Sequence, residues 1–212
     1  MQALYFEEHG NTENLLFGQR PEPEPGAGEV RIQLKTAALN HLDLFVLGGM
    51  PGIPIGLPHI GGADGAGVVD ALGPGVAGIE VGSEVVFDPG LSCGRCSYCL
   101  AGEQSLCVKF GVLGEHNDGT FAERVVVAAE SLAPKPVHLS WEESAAFGLT
   151  YLTAWRMLMT RGGLRSGETI LIHGIGGGVS LACLQLGKMA GCRVIATSRS
   201  EEKLQRAGEL GA

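Results

Sequence analysis

Charge and aromatic side chains are both scarce in this sequence. Only 18% of its 212 residues are Asp, Glu, Lys or Arg, only 6% are aromatic, and no block of like charges stands out. The net charge of −8 argues against a nucleic-acid partner, because such binding depends on neutralising phosphates. No apolar run approaches the length of a membrane span. Residues 1–6 lack the basic start and apolar centre of a secretory signal and read as a strand, so the cytoplasm is the expected compartment. There is no internal repeat. With 45% apolar residues, the chain is long enough to bury a sizeable core without covalent staples.

Glycine is the residue in excess. The 34 glycines gather at 48–52, 61–67, 73–82 and 174–178 with no collagen-like period, which points to tight turns and close backbone approaches. Four of the six cysteines crowd between Cys93 and Cys107, while Cys183 and Cys192 stand apart. Without a secretory signal, such crowding favours a metal over disulfides.

Two domains are expected. Residues 1–135 read as β-rich: Val30, Ile32 and Leu34 alternate with Arg31, Gln33 and Lys35, as in a half-buried strand, and 67–72, 84–87 and 121–128 read as further strands. Gly-Asn at 10–11 and Gly-Pro-Gly at 73–75 mark turns, and Pro-Glu-Pro-Glu-Pro at 21–25 is an extended connector. From 136 onward the pattern changes. Ser140 can cap a helix that opens with Glu142 and Glu143 and carries Ala145, Leu149, Leu152 and Trp155. A βαβα pattern follows. Strands at 169–173 and 193–197 flank a helix whose Val179, Ala182, Cys183, Leu186 and Met189 share one face, and Ser200 can cap a last helix. Continuous apolar strands joined by a helix predict a parallel sheet covered on both faces.

The spacing Cys93-x2-Cys96-x2-Cys99-x7-Cys107 is the most specific signal, within a lobe spanning about 90–110. Zinc takes four soft donors in a tetrahedron, and a site filled by four thiolates leaves no position for water or substrate, so its role is structural. One zinc per chain is therefore expected. An iron–sulfur cluster of the bacterial ferredoxin kind is disfavoured, because its last gap is three residues with proline following, whereas here the gap is seven and Val108 follows.

The second signal is Gly174-Ile175-Gly176-Gly177-Gly178-Val179-Ser180, which follows a strand and opens a helix. In that context glycines let the backbone approach a pyrophosphate, and the helix N-terminus attracts its charge. The end of the second strand selects the cofactor: an acid there bonds the ribose of NAD, a base the 2′-phosphate of NADP. The chain reads Thr197-Ser198-Arg199-Ser200 with Lys203 nearby and no acid at the strand end. NADPH is therefore expected ahead of NADH; the alternative is that Arg199 is a solvated surface charge.

Taken together, these features resemble the medium-chain dehydrogenase/reductase superfamily, the zinc-containing alcohol dehydrogenases and their quinone oxidoreductase relatives. The resemblance extends over the whole chain, through Gly61-Gly62-Ala63-Asp64-Gly65-Ala66-Gly67-Val68-Val69, the four-cysteine lobe, the glycine loop, and Leu210-Gly211-Ala212. It implies an α/β plus β fold: a GroES-like β-barrel with a zinc lobe, then the first half of a Rossmann domain. It also implies a small-molecule substrate, Thr150 beside the cofactor, and homo-oligomers for a complete chain.

Two departures from the family pattern matter. Where alcohol dehydrogenases of the family place catalytic-zinc ligands, this chain has Asn40, Ala63 with Asp64, and Ala146. Asn40-His41-Leu42-Asp43 instead resembles members that reduce polarised carbon–carbon double bonds without a catalytic zinc. On that resemblance Asn40 is a candidate donor to an enolate oxygen, His41 a candidate for phosphate contact or proton transfer, and Asp64 their neighbour; the alternative for each is a structural polar role. An unusual second metal site from His41, His59 and Asp64 has suitable ligand types but no local pairing to assemble it. Secondly, only two of six expected Rossmann strands are encoded. A truncated product or half of a split protein, inactive alone, is therefore expected. Three functions are carried forward: NADPH-dependent reduction of an enone, quinone or enoyl thioester; zinc-dependent alcohol oxidation; and a non-catalytic zinc-binding fragment completed by another chain.

Overall fold

Alternating apolar residues set the centre of the larger sheet. In the computed structural model, which describes residues 1–212, Val30 and Ile32 are fully buried on one face of a strand whose other face carries Arg31 and Gln33. In chain order the first elements are β1 (Gln2–Phe6), β2 (Leu16–Gln19), β3 (Glu29–Ala38), helix α1 (His41–Gly48), β4 (His59–Ile60), β5 (Asp64–Leu72), β6 (Glu84–Phe87) and β7 (Gly90–Leu91). Then come the short helix α2 (Ser97–Leu100), β8 (Gly111–Val112), β9 (Arg124–Ala128), β10 (Leu132–Pro134) and α3 (Trp141–Ala146). An antiparallel five-stranded sheet runs β10-β6-β5-β3-β9, and a three-stranded sheet runs β2-β1-β4. Val30, Ile32, Val69, Val85, Phe87, Leu113, Val125 and Val127 form the main core cluster. The Ala3–Ala122 bridge and the Leu4 N–H bond to the Phe121 carbonyl (2.8 Å) tie the sheets together. The expected barrel is thus built as two linked sheets, not as one closed ladder.

The strand expected at 67–72 starts earlier, at Asp64. Gly65, in the glycine cluster ahead of that expected strand, lies inside β5 with Gly67 because β3 crosses close by; a Cβ on Gly67 would collide with the Gln33 carbonyl. Two register shifts between β3 and β5 flank this approach.

The chain divides into two compact units, Met1–Gly148 and Leu149–Ala212. Residues 136–148, expected to open the second domain, close the first. Ser140 caps α3 by accepting the Glu143 N–H at 3.1 Å, and Ala145, with Trp141 and Phe147, packs among Ala38, Ala66 and Val86. The single helix expected there is broken at Phe147 and resumes as α4 (Gly148–Trp155), running into a π-helical turn at Arg156–Arg161. Leu152 and Trp155, expected on the helix's apolar face, are exposed, and Ala154 is the buried residue.

The second unit keeps the expected βαβα order: β11 (Thr169–His173), α5 (Gly178–Met189), β12 (Arg193–Thr197) and α6 (Glu201–Glu209). β11 and β12 pair in parallel, from Thr169 opposite Arg193 to His173 opposite Thr197. Ile172, Val194, Ala182, Cys183, Leu184, Leu186 and Ala207 pack together. Leu171 and Ile195, on the opposite sheet face, are 55% and 42% exposed, so this sheet is covered on one face where two were expected. Met189, expected on the buried helix face, is exposed. No helix is long and apolar enough to cross a membrane.

The Pro-Glu-Pro-Glu-Pro connector is clamped by charge. Arg31 and Arg124 donate through Nε to the two oxygens of Asp70, at 2.8 and 2.9 Å, and reach Glu22 and Glu24 of the connector at 2.9–3.4 Å. Burial pushes the Asp70 carboxyl up, but the two guanidiniums outweigh it and hold it below the usual carboxylate range. Asp70→Asn is expected to cost about 2 kcal/mol, since it strands two arginines that are mostly buried. A depressed folded-state pKa contributes stability above the unfolded carboxylate value of about 3.9 and loses it as pH falls through the folded value. Urea unfolding should therefore give a constant gap between wild type and variant near neutrality, narrowing below about pH 4.

Candidate metal and cofactor sites

The pairing of β7 with β8 closes the base of a lobe that starts at Gly90 and ends at Val112. Within it, Gly94 and Gly102 have φ of 67° and 77°, a left-handed conformation that lets the chain double back twice. Cys96 sits at the N-cap of α2, Cys99 within it, and Cys107 at the end of the turn Gln104–Leu106. All four sulfurs lie within 4.8 Å of one another; Cys96–Cys99 is 3.5 Å and Cys93–Cys99 is 4.0 Å. A tetrahedral zinc with Zn–S near 2.3 Å needs sulfurs about 3.8 Å apart, so the four residues fit the ion. Cys107 Sγ also accepts the Cys93 and Lys109 N–H groups, each at 3.3 Å. The backbone N–H of Cys99 helps draw the Cys96 thiol down to about 6, while desolvation pushes Cys99 up to about 11. A divalent cation removes that conflict by deprotonating all four. Cys183 and Cys192 are buried in the other unit.

The glycine loop is held from inside by one hydroxyl. Ser180 Oγ lies 2.9–3.4 Å from the Gly177 and Gly174 carbonyls and from the Gly176 and Gly177 N–H groups. Gly174 has φ of 73°, its N–H donates to Thr197 Oγ1 at 3.3 Å, and the Ile175 N–H donates to the Thr197 carbonyl at 2.9 Å. The loop is thus pinned to the end of β12. Thr150 and Gly178 touch so closely that a Cβ on the glycine would press on the Thr150 methyl, and Val179 packs on the core. Lys203 reaches back over the loop from α6, its Nζ 2.9 Å from where a Gly176 Cβ would stand. Gly174, Gly176, Ser198, Arg199 and Lys203 line one cleft together with His173, Ile175, Thr197 and Ser200, and no carboxylate lines it. Glycines exposed at a helix N-terminus beside two cations match the needs of a dinucleotide pyrophosphate.

In the first unit, Asn40 is the N-cap of α1, a helix that sequence patterning missed although Asn40-x-x-Asp43 is a capping signature. Asp43 fulfils half of that signature: its Oδ2 accepts the Asn40 N–H at 2.6 Å, and its carboxyl is raised by burial. The other half is missing. The Asn40 side chain makes no cap bond and donates from Nδ2 to Asp64 Oδ2 at 2.9 Å; an unused cap forgoes about 1 kcal/mol. Asp64 is only 1% exposed, and its backbone carbonyl accepts the Thr120 hydroxyl at 2.9 Å. The two residues lie 24 positions apart, with no local pattern to announce the bond. His41 is exposed, beside Phe45. His59 is buried on β4, with Nε2 3.0 Å from the Gly114 carbonyl and its ring beside Phe6. His41, His59 and Asp64 form no metal-holding group; the four cysteines do.

Residues 26–137 match the alcohol dehydrogenase GroES-like domain family. Among curated relatives, an alcohol dehydrogenase of Schizosaccharomyces pombe is 34% identical over 99% of this chain and 60% of its own length. An acryloyl-coenzyme A reductase of Sulfurisphaera tokodaii is 34% identical over 92% of this chain and 58% of its own. Among solved structures, an NAD-dependent alcohol dehydrogenase superposes with a TM-score of 0.96 at 54% identity, over all of this chain and 62% of that one. The chain thus spans about 60% of the length of the proteins it matches.

Proposed function

The chain belongs to the alcohol dehydrogenase GroES-like family, and on that premise we propose that the protein reduces a polarised carbon–carbon double bond with NADPH, its one zinc serving structure alone. The observation that carries this reading is Asn40. It stands where the alcohol dehydrogenases of the resembled family put a zinc cysteine, and it offers a neutral hydrogen-bond donor. The likeness to the acryloyl-coenzyme A reductase supports it.

NADPH, when bound, would supply the hydride that the far carbon of the enone or enoyl thioester takes. The π electrons move onto the carbonyl oxygen, where Asn40 donates a hydrogen bond to the developing enolate; the near carbon then takes a proton from solvent or from His41. In the second unit the Gly174–Ser180 loop and Lys203 would hold the pyrophosphate, and Ser198 with Arg199 would hold the 2′-phosphate. Thr150 packs against the loop's helix. Cys93, Cys96, Cys99 and Cys107 would hold the zinc.

The second reading, NAD-dependent oxidation of an alcohol, rests on the 54%-identical alcohol dehydrogenase. Turnover separates the two. The whole protein should consume NADPH with an enone or an enoyl thioester and leave primary and secondary alcohols untouched in the presence of NADP⁺ or NAD⁺. Alcohol oxidation without enone reduction would overturn the proposal.

A further inference from the structure

The Asn40 side chain sits in an unusual place for its position in the chain. Asparagine is among the best N-caps because its oxygen accepts an N–H from the first helical turn. At α1 the Asp43 N–H bonds to the Asn40 backbone carbonyl (3.1 Å), and the side chain turns instead to the buried Asp64 carboxylate. With Nδ2 donating to Asp64 Oδ2 at 2.9 Å, the Asn40 amide keeps one N–H and Oδ1 for other partners. Gly148 completes the seat, since a Cβ there would collide with Asp64 Oδ1.

We propose that Asp64 is a positioning residue, which locks the Asn40 amide so that its free N–H meets the substrate oxygen that gains charge. This rests on the reading of Asn40 as hydride-transfer donor given above. A donor aimed at developing charge is effective only if it need not reorient during reaction. A half-buried asparagine bonded to solvent alone would rotate; one bonded to a fixed carboxylate does not.

A double-mutant cycle on the whole protein tests it, with Asp64→Asn and Asn40→Ala alone and combined. Asp64→Asn is isosteric and should lower kcat about tenfold to a hundredfold, with KM and dinucleotide affinity changed less than about twofold. In the Asn40→Ala background the same change should add less than about twofold. Gly148→Ala, which displaces the carboxylate without removing it, should reproduce the kcat loss and serves if Asp64→Asn folds poorly. In the ¹⁵N spectrum, the Asn40 side-chain NH2 of wild type should exchange slowly with solvent, and Asp64→Asn should speed that exchange. Losses that multiply in the cycle, or unchanged Asn40 exchange, overturn the role of Asp64. If wild type turns over alcohols and not enones, the double-bond reading fails separately, and the same cycle run with the alcohol still decides whether Asp64 acts through Asn40.

Discussion

Replacing Cys99 with serine is expected to take zinc from about one per chain to near zero and to lower the thermal midpoint by roughly 10 °C. Cys99 is buried at the centre of the cluster, 3.5 Å from Cys96 and 4.0 Å from Cys93. The lobe has little else to hold it. Its two strands are two residues long each, and Tyr98, Leu100, Leu106, Val108 and Phe110 are all substantially exposed. With no apolar core of its own, the lobe is expected to depend on a bound ion for its fold, as small metal domains do. Loss of a structural metal belongs to the few single changes that remove several kcal/mol. Elemental analysis and hydrogen exchange across residues 90–112 give the readout; exchange should rise there and change little in β3 and β5. Cys183→Ser is the control, because its thiol packs among Ile172 and Leu186 and should lose stability without losing zinc. Full zinc retention by the Cys99 variant would show that the four thiolates are not one site.

Arg199→Ala is expected to weaken NADPH binding about tenfold to a hundredfold and to leave NADH binding nearly unchanged, whereas Lys203→Ala should weaken both alike. The difference follows from placement. Lys203 Nζ overlies Gly176, in the loop proposed to take the pyrophosphate shared by both dinucleotides. Arg199 follows β12 by two residues, on the side where the adenosine ribose is expected to lie, and the cleft has no carboxylate to bond a free ribose. A charge-assisted bond to phosphate accounts for the magnitude. Calorimetric titration with each dinucleotide at two salt concentrations measures it, and the Arg199 effect should shrink as salt rises. Equal wild-type affinity for NADH and NADPH would remove the assignment of Arg199 and favour the NAD-dependent reading.

The zinc lobe was legible from sequence because its ligands lie within fifteen residues and their identity dictates the chemistry: thiolates at such spacing converge without help from the rest of the fold. The glycine loop was equally legible, since strand, loop and helix are consecutive and the apolar periods on either side are local. Ser140 and Ser200 announced their helices for the same reason. What the sequence could not determine involves partners far apart in the chain. Only the approach of β3 to β5 extends the strand expected from residue 67 back through Gly65, since the lack of a Cβ at 65 and 67 is used against Leu34 and Gln33 rather than for a bend. Only that same sheet brings Asp64, at the start of β5, beside Asn40, just past the end of β3, and redirects an ordinary helix cap toward a buried carboxylate. Hydrogen bonding inside a turn is written in a few adjacent residues; a side chain's choice between a local cap and a distant acid is made only when the sheet places both within reach.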